Sequence, residues 1–246
     1  MKINFQLLNP DEIARGSSSW LIHTDGYCWI DTIQCRLLEA VKTNNRVPAG
    51  IETESSVRGV RTYVGEMLLA LGDAAPYALE PVPNGLRRYL SDEGIQEFHQ
   101  FWSEWLKKAN DRYDLDDPIW DAHDIATDWL ISRQLNWSDC DFSTHPRIWI
   151  WSDEHEMHWG WNLTSPSVDS DVKYTATQGQ ATESCDDFSK SILMFCNLLF
   201  DEIECSATVS MGETRAAILN WLRNQFVPHR TNWYQVQVAM NTVFGK

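Results

Sequence analysis

Alternating apolar and polar positions predict a β-hairpin over residues 146–163. Two runs of period two flank a polar tip at 153–156, where acidic residues and a histidine follow one another. The second run places three large apolar side chains on one face: Met157, Trp159 and Trp161. Burying one such indole contributes roughly 1.5–3 kcal/mol, and cross-strand aromatic pairs add roughly 0.2–1 kcal/mol. We therefore expect this hairpin to be part of the core on which helices pack, not a functional site.

Two further stretches have strand character. Residues 20–31 contain the pair Asp25-Gly26 between β-prone runs, which is a signal for a two-residue hairpin turn. Residues 172–178 alternate like one more strand. Together with the tryptophan-rich hairpin, these stretches predict a single antiparallel sheet.

Helical spacing of apolar residues recurs in five segments and predicts amphipathic helices. These segments are 62–71, 91–108, 117–135, 184–204 and 213–226. The last stretch, 233–244, fits either a strand or a helix that begins after Thr231 or Asn232, and we favour the helix. The predicted fold class is therefore α+β: an antiparallel sheet built from Trp-rich hairpins, covered by five or six amphipathic helices.

Domain organisation follows from length and local composition. The 246 residues are enough for one domain with a substantial core, and we expect a single α+β domain over 1–246. The segment at about 42–59 is rich in Asn, Ser, Thr and Gly, which is typical of a surface loop.

Composition narrows the class of protein. The sequence contains no apolar run of the length of a membrane span, and the first residues become polar and acidic too early for a signal peptide. The six cysteines form no Cys-x-x-Cys pair, so neither a structural zinc nor a disulfide framework is predicted. We expect a cytoplasmic protein without cofactors.

Net charge gives the first indication of a partner. The formal charge of −15 arises from the segment 111–204, which holds 20 acidic and five basic residues. Such a segment repels nucleic acid and membrane surfaces and attracts basic proteins. The alternative is that the acidity serves only solubility.

A row of carboxylates on the helix that begins at 117 is the most informative pattern. At about 100° per residue, four aspartates fall within an arc of roughly 60°: Asp117, Asp121, Asp124 and Asp128. Like charges three or four residues apart destabilise a helix by roughly 0.2–0.5 kcal/mol per pair. Trp120 and Ile131 flank the row, and aromatic anchors beside charges are typical of interface hot spots. The pattern predicts a docking face for a basic protein.

A structural explanation for the same row stays open. Arg87, Arg88 or Arg112 could neutralise the carboxylates within the molecule, and Asp117 and Asp121 also suit the helix dipole.

Catalytic and metal-binding patterns are weak in comparison. His123 lies outside the arc of aspartates, and the acidic hairpin tip is explained by a solvated turn. Cys185 lies in the first turn of the helix predicted over 184–204, but Asp186 and Asp187 follow it and oppose a thiolate. Sequence motifs for a serine nucleophile, a phosphate loop or a zinc protease are absent. We therefore predict neither catalytic residues nor metal ligands.

Several short motifs resemble those of an uncharacterised family of bacterial cytoplasmic proteins. They are residues 24–31 (TDGYCWID), 79–83 (LEPVP) and 146–149 (PRIW), with an ending that carries Thr231, Trp233 and Val236. Some members of that family are encoded among genes for polymorphic toxins and their immunity proteins. The resemblance implies one continuous fold and an immunity role, but no functional residues.

The sequence as a whole favours a non-enzymatic, immunity-type protein that binds and neutralises a cognate, basic, intracellular bacterial toxin. Two hypotheses of other classes stay open. One is a hydrolase or transferase whose site is assembled from residues distant in sequence. A deep polar pocket would support this hypothesis. The other is an acidic nucleic-acid mimic, which would need carboxylates spaced like phosphates over several elements.

Overall fold

A computed structural model describes residues 1–8, 20–42, 60–109, 118–135, 147–163, 172–207 and 210–245. Within these ranges the fold is α+β, as the sequence predicts, with seven α-helices and small antiparallel sheets. Nearly all of the loop predicted at 42–59, and the first residue of the aspartate row, Asp117, lie outside the described residues.

The first sheet is organised around its central strand. Strand β2 (Asp25–Asp31) pairs antiparallel with β1 (Lys2–Leu7) along one edge and with β3 (Arg36–Leu37) and β5 (Val60–Tyr63) along the other. Strand β4 (Ala40–Lys42) instead pairs with β8 (Val172–Tyr174) in a separate two-stranded sheet.

The hairpin predicted over 20–31 is wrong. Residues Trp20–Thr24 form a 3-10 turn, and the Asp25-Gly26 pair begins strand β2. Gly26 is there because backbones approach closely: it pairs with Leu7 on one side and Thr62 on the other, and a Cβ would overlap the carbonyl oxygen of Gln6. Glycine supplies this close approach here instead of a turn conformation.

The third sheet contains the tryptophan-rich strands. Strand β6 (Arg147–Ser152) pairs antiparallel with β7 (Met157–Asn162), which pairs with β9 (Gln178–Glu183). The stretch predicted as one strand at 172–178 therefore contributes to two strands, β8 and β9, in different sheets. The single sheet predicted from the sequence is wrong: the described residues form three separate sheets.

Most helices agree with the predicted segments to within a few residues. The described helices are α1 (Val64–Ala78), α2 (Asn84–Arg87), α3 (Asp92–Ala109), α4 (Pro118–Ile131), α5 (Cys185–Ala207), α6 (Gly212–Gln225) and α7 (Trp233–Val243). Helix α1 continues seven residues past the predicted end at 71, and the short helix α2 was not predicted. Capping side chains explain several starts: Ser91 Oγ accepts from Gly94 N at 3.1 Å, and Ser184 Oγ accepts from Asp187 N at 3.1 Å. The ambiguous last segment is a helix because Asn232 Oδ1 caps it, accepting from the backbone N of Gln235 at 3.2 Å.

Two apolar clusters lie on opposite faces of the third sheet. Ile148, Ile150 and Trp159 belong to the larger cluster, which also takes the apolar faces of α1 and α5. Trp151 points the other way and packs against the smaller cluster, formed largely by α3, α4 and α7. The sheet thus connects the main core to the helical layer that carries the aspartate row.

None of the helices in the described part of the chain is both long and apolar enough to cross a membrane.

Candidate functional site

Helix α4 presents one face to the core and the other to the surface. Ala122, Ala126 and Trp129 are buried in the smaller cluster, where Val236 and Met240 of α7 are also buried. This i, i+4, i+7 spacing fixes the rotation of α4 about its axis. The aspartate row is therefore directed away from α7.

The three described aspartates of the row are exposed: Asp121, Asp124 and Asp128. The Asp124 side chain is 77% accessible, and its neighbour is the imidazole Nδ1 of His123 at 3.4 Å. Throughout the described ranges, no lysine or arginine lies within ion-pair distance of these three carboxylates. The surface along α4 is thus negative and lacks internal neutralisation by any described lysine or arginine.

The arginines considered as internal partners have other contacts. Arg87 donates to the carbonyl of Val82 at 2.8 Å and lies 3.7 Å from Asp153. Arg88 donates to the hydroxyl of Tyr89. Arg112 lies outside the described residues.

The two apolar residues that flank the row differ in exposure. Trp120 is half-buried, and its ring packs edge-on against Trp102 at 4.9 Å and Trp105 at 5.4 Å between centroids. Ile131 has 48% of its surface exposed. Ile131 is thus the freely accessible apolar group beside the carboxylates, whereas Trp120 is held within an aromatic cluster.

The row ends at an open cleft of about 640 Å³ between α4 and α1. Ile125 and Asp128 line it from α4 at i and i+3, Ser132 follows directly after that helix, and Asp73 and Tyr77 line it from α1. The segment between α6 and α7 closes one end with His229 and Thr231. The sequence analysis missed this cleft because its walls are brought together from positions far apart in the chain.

Two titratable residues outside α4, Asp73 of α1 and His229 of the segment before α7, also line the cleft. Desolvation raises the pKa of Asp73 above its usual value, and no described cation pairs with it. The His229 ring lies 4.6 Å from the ring of Tyr77, and its backbone N donates to the carbonyl of Pro76 at 2.8 Å. That bond anchors the segment between α6 and α7 to the last turn of α1.

A buried ion pair supports the floor of the cleft. Arg133 is fully buried, and its Nη2 lies 3.5 Å from Oε2 of Glu80, which is itself buried. Glu80 also accepts hydrogen bonds from the backbone N and the hydroxyl of Thr231. The Arg133 guanidinium lies over the rings of Trp129 and Trp233, 5.4 Å from each centroid. Glu80, Thr231 and Trp233 belong to motifs quoted in the sequence analysis, which therefore contribute to one structural network.

Burial lowers the pKa of Arg133 to about 10, against the opposing effect of the Glu80 carboxylate. The guanidinium is therefore charged at neutral pH, and Glu80 is its buried counter-charge.

Two other candidates for chemistry considered from the sequence are Asp153 and Cys185. Asp153 at the hairpin tip accepts from the backbone N of His155 at 2.8 Å and of Glu156 at 2.9 Å, and it contacts His158 at 3.1 Å. Desolvation, together with the nearby Asp153 carboxylate, raises the pKa of the Cys185 thiol, which disfavours the reactive thiolate. The described residues contain no cluster of three His, Cys, Asp or Glu side chains suited to a metal ion.

Comparison with known proteins assigns the chain to a family. The model of DUF5984, described as a family of unknown function, matches residues 2–216. The chain belongs to the DUF5984 family. The matched part includes helix α4 and the α1 wall of the cleft, whereas α7 follows it in the chain. No curated protein and no solved structure matches the chain.

Proposed function

We propose that this DUF5984 protein is a non-enzymatic, immunity-type protein that binds a basic intracellular toxin through the acidic face of α4. The observation that carries the proposal is the row of exposed carboxylates at Asp121, Asp124 and Asp128, which no described lysine or arginine neutralises. Each like-charged pair in that row destabilises the helix by a few tenths of a kcal/mol. A basic partner would convert this repulsion into attraction.

The proposal also accounts for how the partner is found. With a net charge of −15, the chain accelerates encounters with a basic protein by about 10–10³-fold at low ionic strength. Ile131, exposed at the end of the row, supplies an apolar contact that slows dissociation of the complex after the charged surfaces have associated. Association should therefore depend strongly on salt, and dissociation much less.

An in-cell protection assay tests the proposal. The gene immediately upstream is expressed in a bacterial host together with this protein, and growth is recorded. Asp121→Lys/Asp124→Lys should abolish protection while the thermal unfolding of the protein is unchanged. The matched control is Glu154→Lys/Glu202→Lys, which makes the same change of charge at exposed positions on other elements and should still protect.

Normal protection by the α4 double variant would refute the assigned face. An upstream gene whose product is neither toxic nor bound by this protein would refute the immunity role itself.

A hydrolase or transferase is the second candidate, and the cleft is the observation in its favour. Asp73, Asp128 and His229 all line it. However, the described residues provide no hydrogen bond from His229 to a carboxylate, which a general base would use for orientation. If His229→Asn leaves protection intact, the cleft does not act through this histidine.

A nucleic-acid mimic is less well supported than either. Such a protein needs carboxylates spread like phosphates over several elements, whereas the row described here runs along one face of α4.

A further inference from the structure

We propose that the cleft between α1 and α4 is the part of the docking surface that receives an arginine side chain from a peptide segment of the partner, with Asp73 and Asp128 holding its guanidinium. This inference rests on the proposed function and deepens it. It assigns a binding role to Asp73, which lies outside the acidic row, and it specifies the chemistry of the group that binds.

The shape of the cleft suits an inserted side chain. It is continuous with the exposed row, because Asp128 belongs to both, and it has a volume of about 640 Å³. Asp73 lines it from α1 and Asp128 lines it from α4, so the two carboxylates belong to different walls of the cleft. A planar guanidinium presents donors in two directions and can serve both.

The charge balance of the cleft favours a cation. Arg133 and His229 are the basic residues of its described lining, and Glu80 lies against the Arg133 guanidinium and compensates it. Asp73 and Asp128 then contribute two negative charges that no described cation neutralises. The ring of Tyr77 supplies aromatic surface, on which a guanidinium packs better than an ammonium.

The amide side chains of the lining point to a peptide as the source of the cation. Gln134, Asn232 and Gln235 line the cleft, and the N–H groups of side-chain amides donate to carbonyl oxygens. A peptide segment supplies such carbonyl oxygens next to its arginine, which a free metal ion does not.

The probe for this site is the peptide acetyl-Gly-Arg-Gly-amide, titrated into the full-length, isotope-labelled protein and followed by NMR. The matched peptide carries citrulline, which has the shape of arginine without its charge. The arginine peptide should shift the backbone signals of α1 and α4 residues around the cleft. The citrulline peptide should bind at least tenfold more weakly.

Two protein variants complete the test. Asp73→Asn should weaken the arginine peptide about fivefold, as expected for a partly exposed charge pair, whereas Glu202→Gln on α5 should leave affinity unchanged. Because desolvation disfavours the charged form of Asp73, the amide should not lower thermal stability, so a loss of binding is not a loss of folding.

Equal binding of the two peptides, unchanged binding by Asp73→Asn, or shifts that avoid the cleft would each overturn the inference. Failure of the cleft and failure of the proposed function are distinguishable with the upstream gene product. If Asp121→Lys/Asp124→Lys abolishes its binding but Asp73→Asn does not, the docking face on α4 is supported and the arginine site in the cleft is refuted. If neither variant alters binding, the docking face and the arginine site are both refuted.

Discussion

Replacing Glu80 by glutamine tests the buried network beneath the cleft. The amide keeps nearly the same shape and one acceptor oxygen for Thr231, but it removes the negative charge opposite Arg133. The guanidinium is then fully buried with no counter-charge. The ion pair connects three distant parts of the chain: the end of α1, the end of α4 and the segment before α7.

The expected loss of stability is large for a single isosteric change. Removing one partner of a buried ion pair costs about 3–5 kcal/mol, because the remaining charge is uncompensated. For a chain of this size, 1 kcal/mol corresponds to a shift in Tm of about 2–4 °C. Glu80→Gln should therefore lower Tm by at least about 6 °C. The exposed control Glu202→Gln should change the free energy of unfolding by less than about 0.5 kcal/mol.

Urea denaturation followed by circular dichroism measures the effect, with Arg133→Met and the double variant in parallel. The double variant should be more stable than the sum of the two single losses predicts, because it removes both charges together. A loss below about 1 kcal/mol for Glu80→Gln, or strict additivity in the double variant, would refute the reasoning that the pair is a coupled, buried unit.

Two further predictions concern packing and pH. Gly72→Ala should destabilise the protein by about 1–3 kcal/mol in a thermal unfolding experiment, because its Cβ would overlap the indole of Trp221, whereas Gly212→Ala, with open space around it, should not. Asp153→Asn should cost about 1 kcal/mol at pH 7. Although desolvation opposes the shift, hydrogen bonds from the backbone N–H groups of the turn and from His158 hold the pKa of Asp153 below its usual range. This stabilisation is present above pH 4 and is lost as pH falls below it, so the unfolding free energies of Asp153→Asn and the parent protein should converge in acid. A constant difference across that range would contradict the assignment.

The helices could be predicted from local signals. Apolar residues at helical spacing, together with caps such as Ser91, Ser184 and Asn232, give the positions of the helices to within a few residues, except for the end of α1 and the short helix α2. The same local logic failed at Gly26. A glycine after an aspartate favours a tight turn in isolation, but here two neighbouring strands require the absence of a side chain.

Strand partners could not be predicted in the same way. The edge strand β9 has the sequence QGQATE, in which Ala181 is the buried residue, so it lacks the apolar alternation that would reveal it. Its pairing with β7 is determined by tertiary packing, including Gly179, where a Cβ would overlap the indole of Trp161. Long-range pairing of this kind has no local signature.

The candidate site was predictable in part. Helical periodicity placed Asp121, Asp124 and Asp128 on one face, because that arrangement depends on a single element. The cleft depends on how α1, α4 and the segment before α7 are arranged in the fold, and nothing local to Asp73 indicates that it lines such a cleft. The burial of Arg133 was equally invisible, because arginine is rarely found fully buried unless it is paired.

The central claim is that the exposed carboxylates of α4 recruit a basic protein. The most direct measurement is the association rate constant between this protein and the product of the upstream gene, recorded by stopped-flow or biosensor over a range of salt concentrations. We predict that Asp121→Lys/Asp124→Lys lowers the rate at least tenfold at low salt and flattens its salt dependence, whereas Glu154→Lys/Glu202→Lys has a much smaller effect. Equal association rates for the two double variants at every salt concentration would contradict the account.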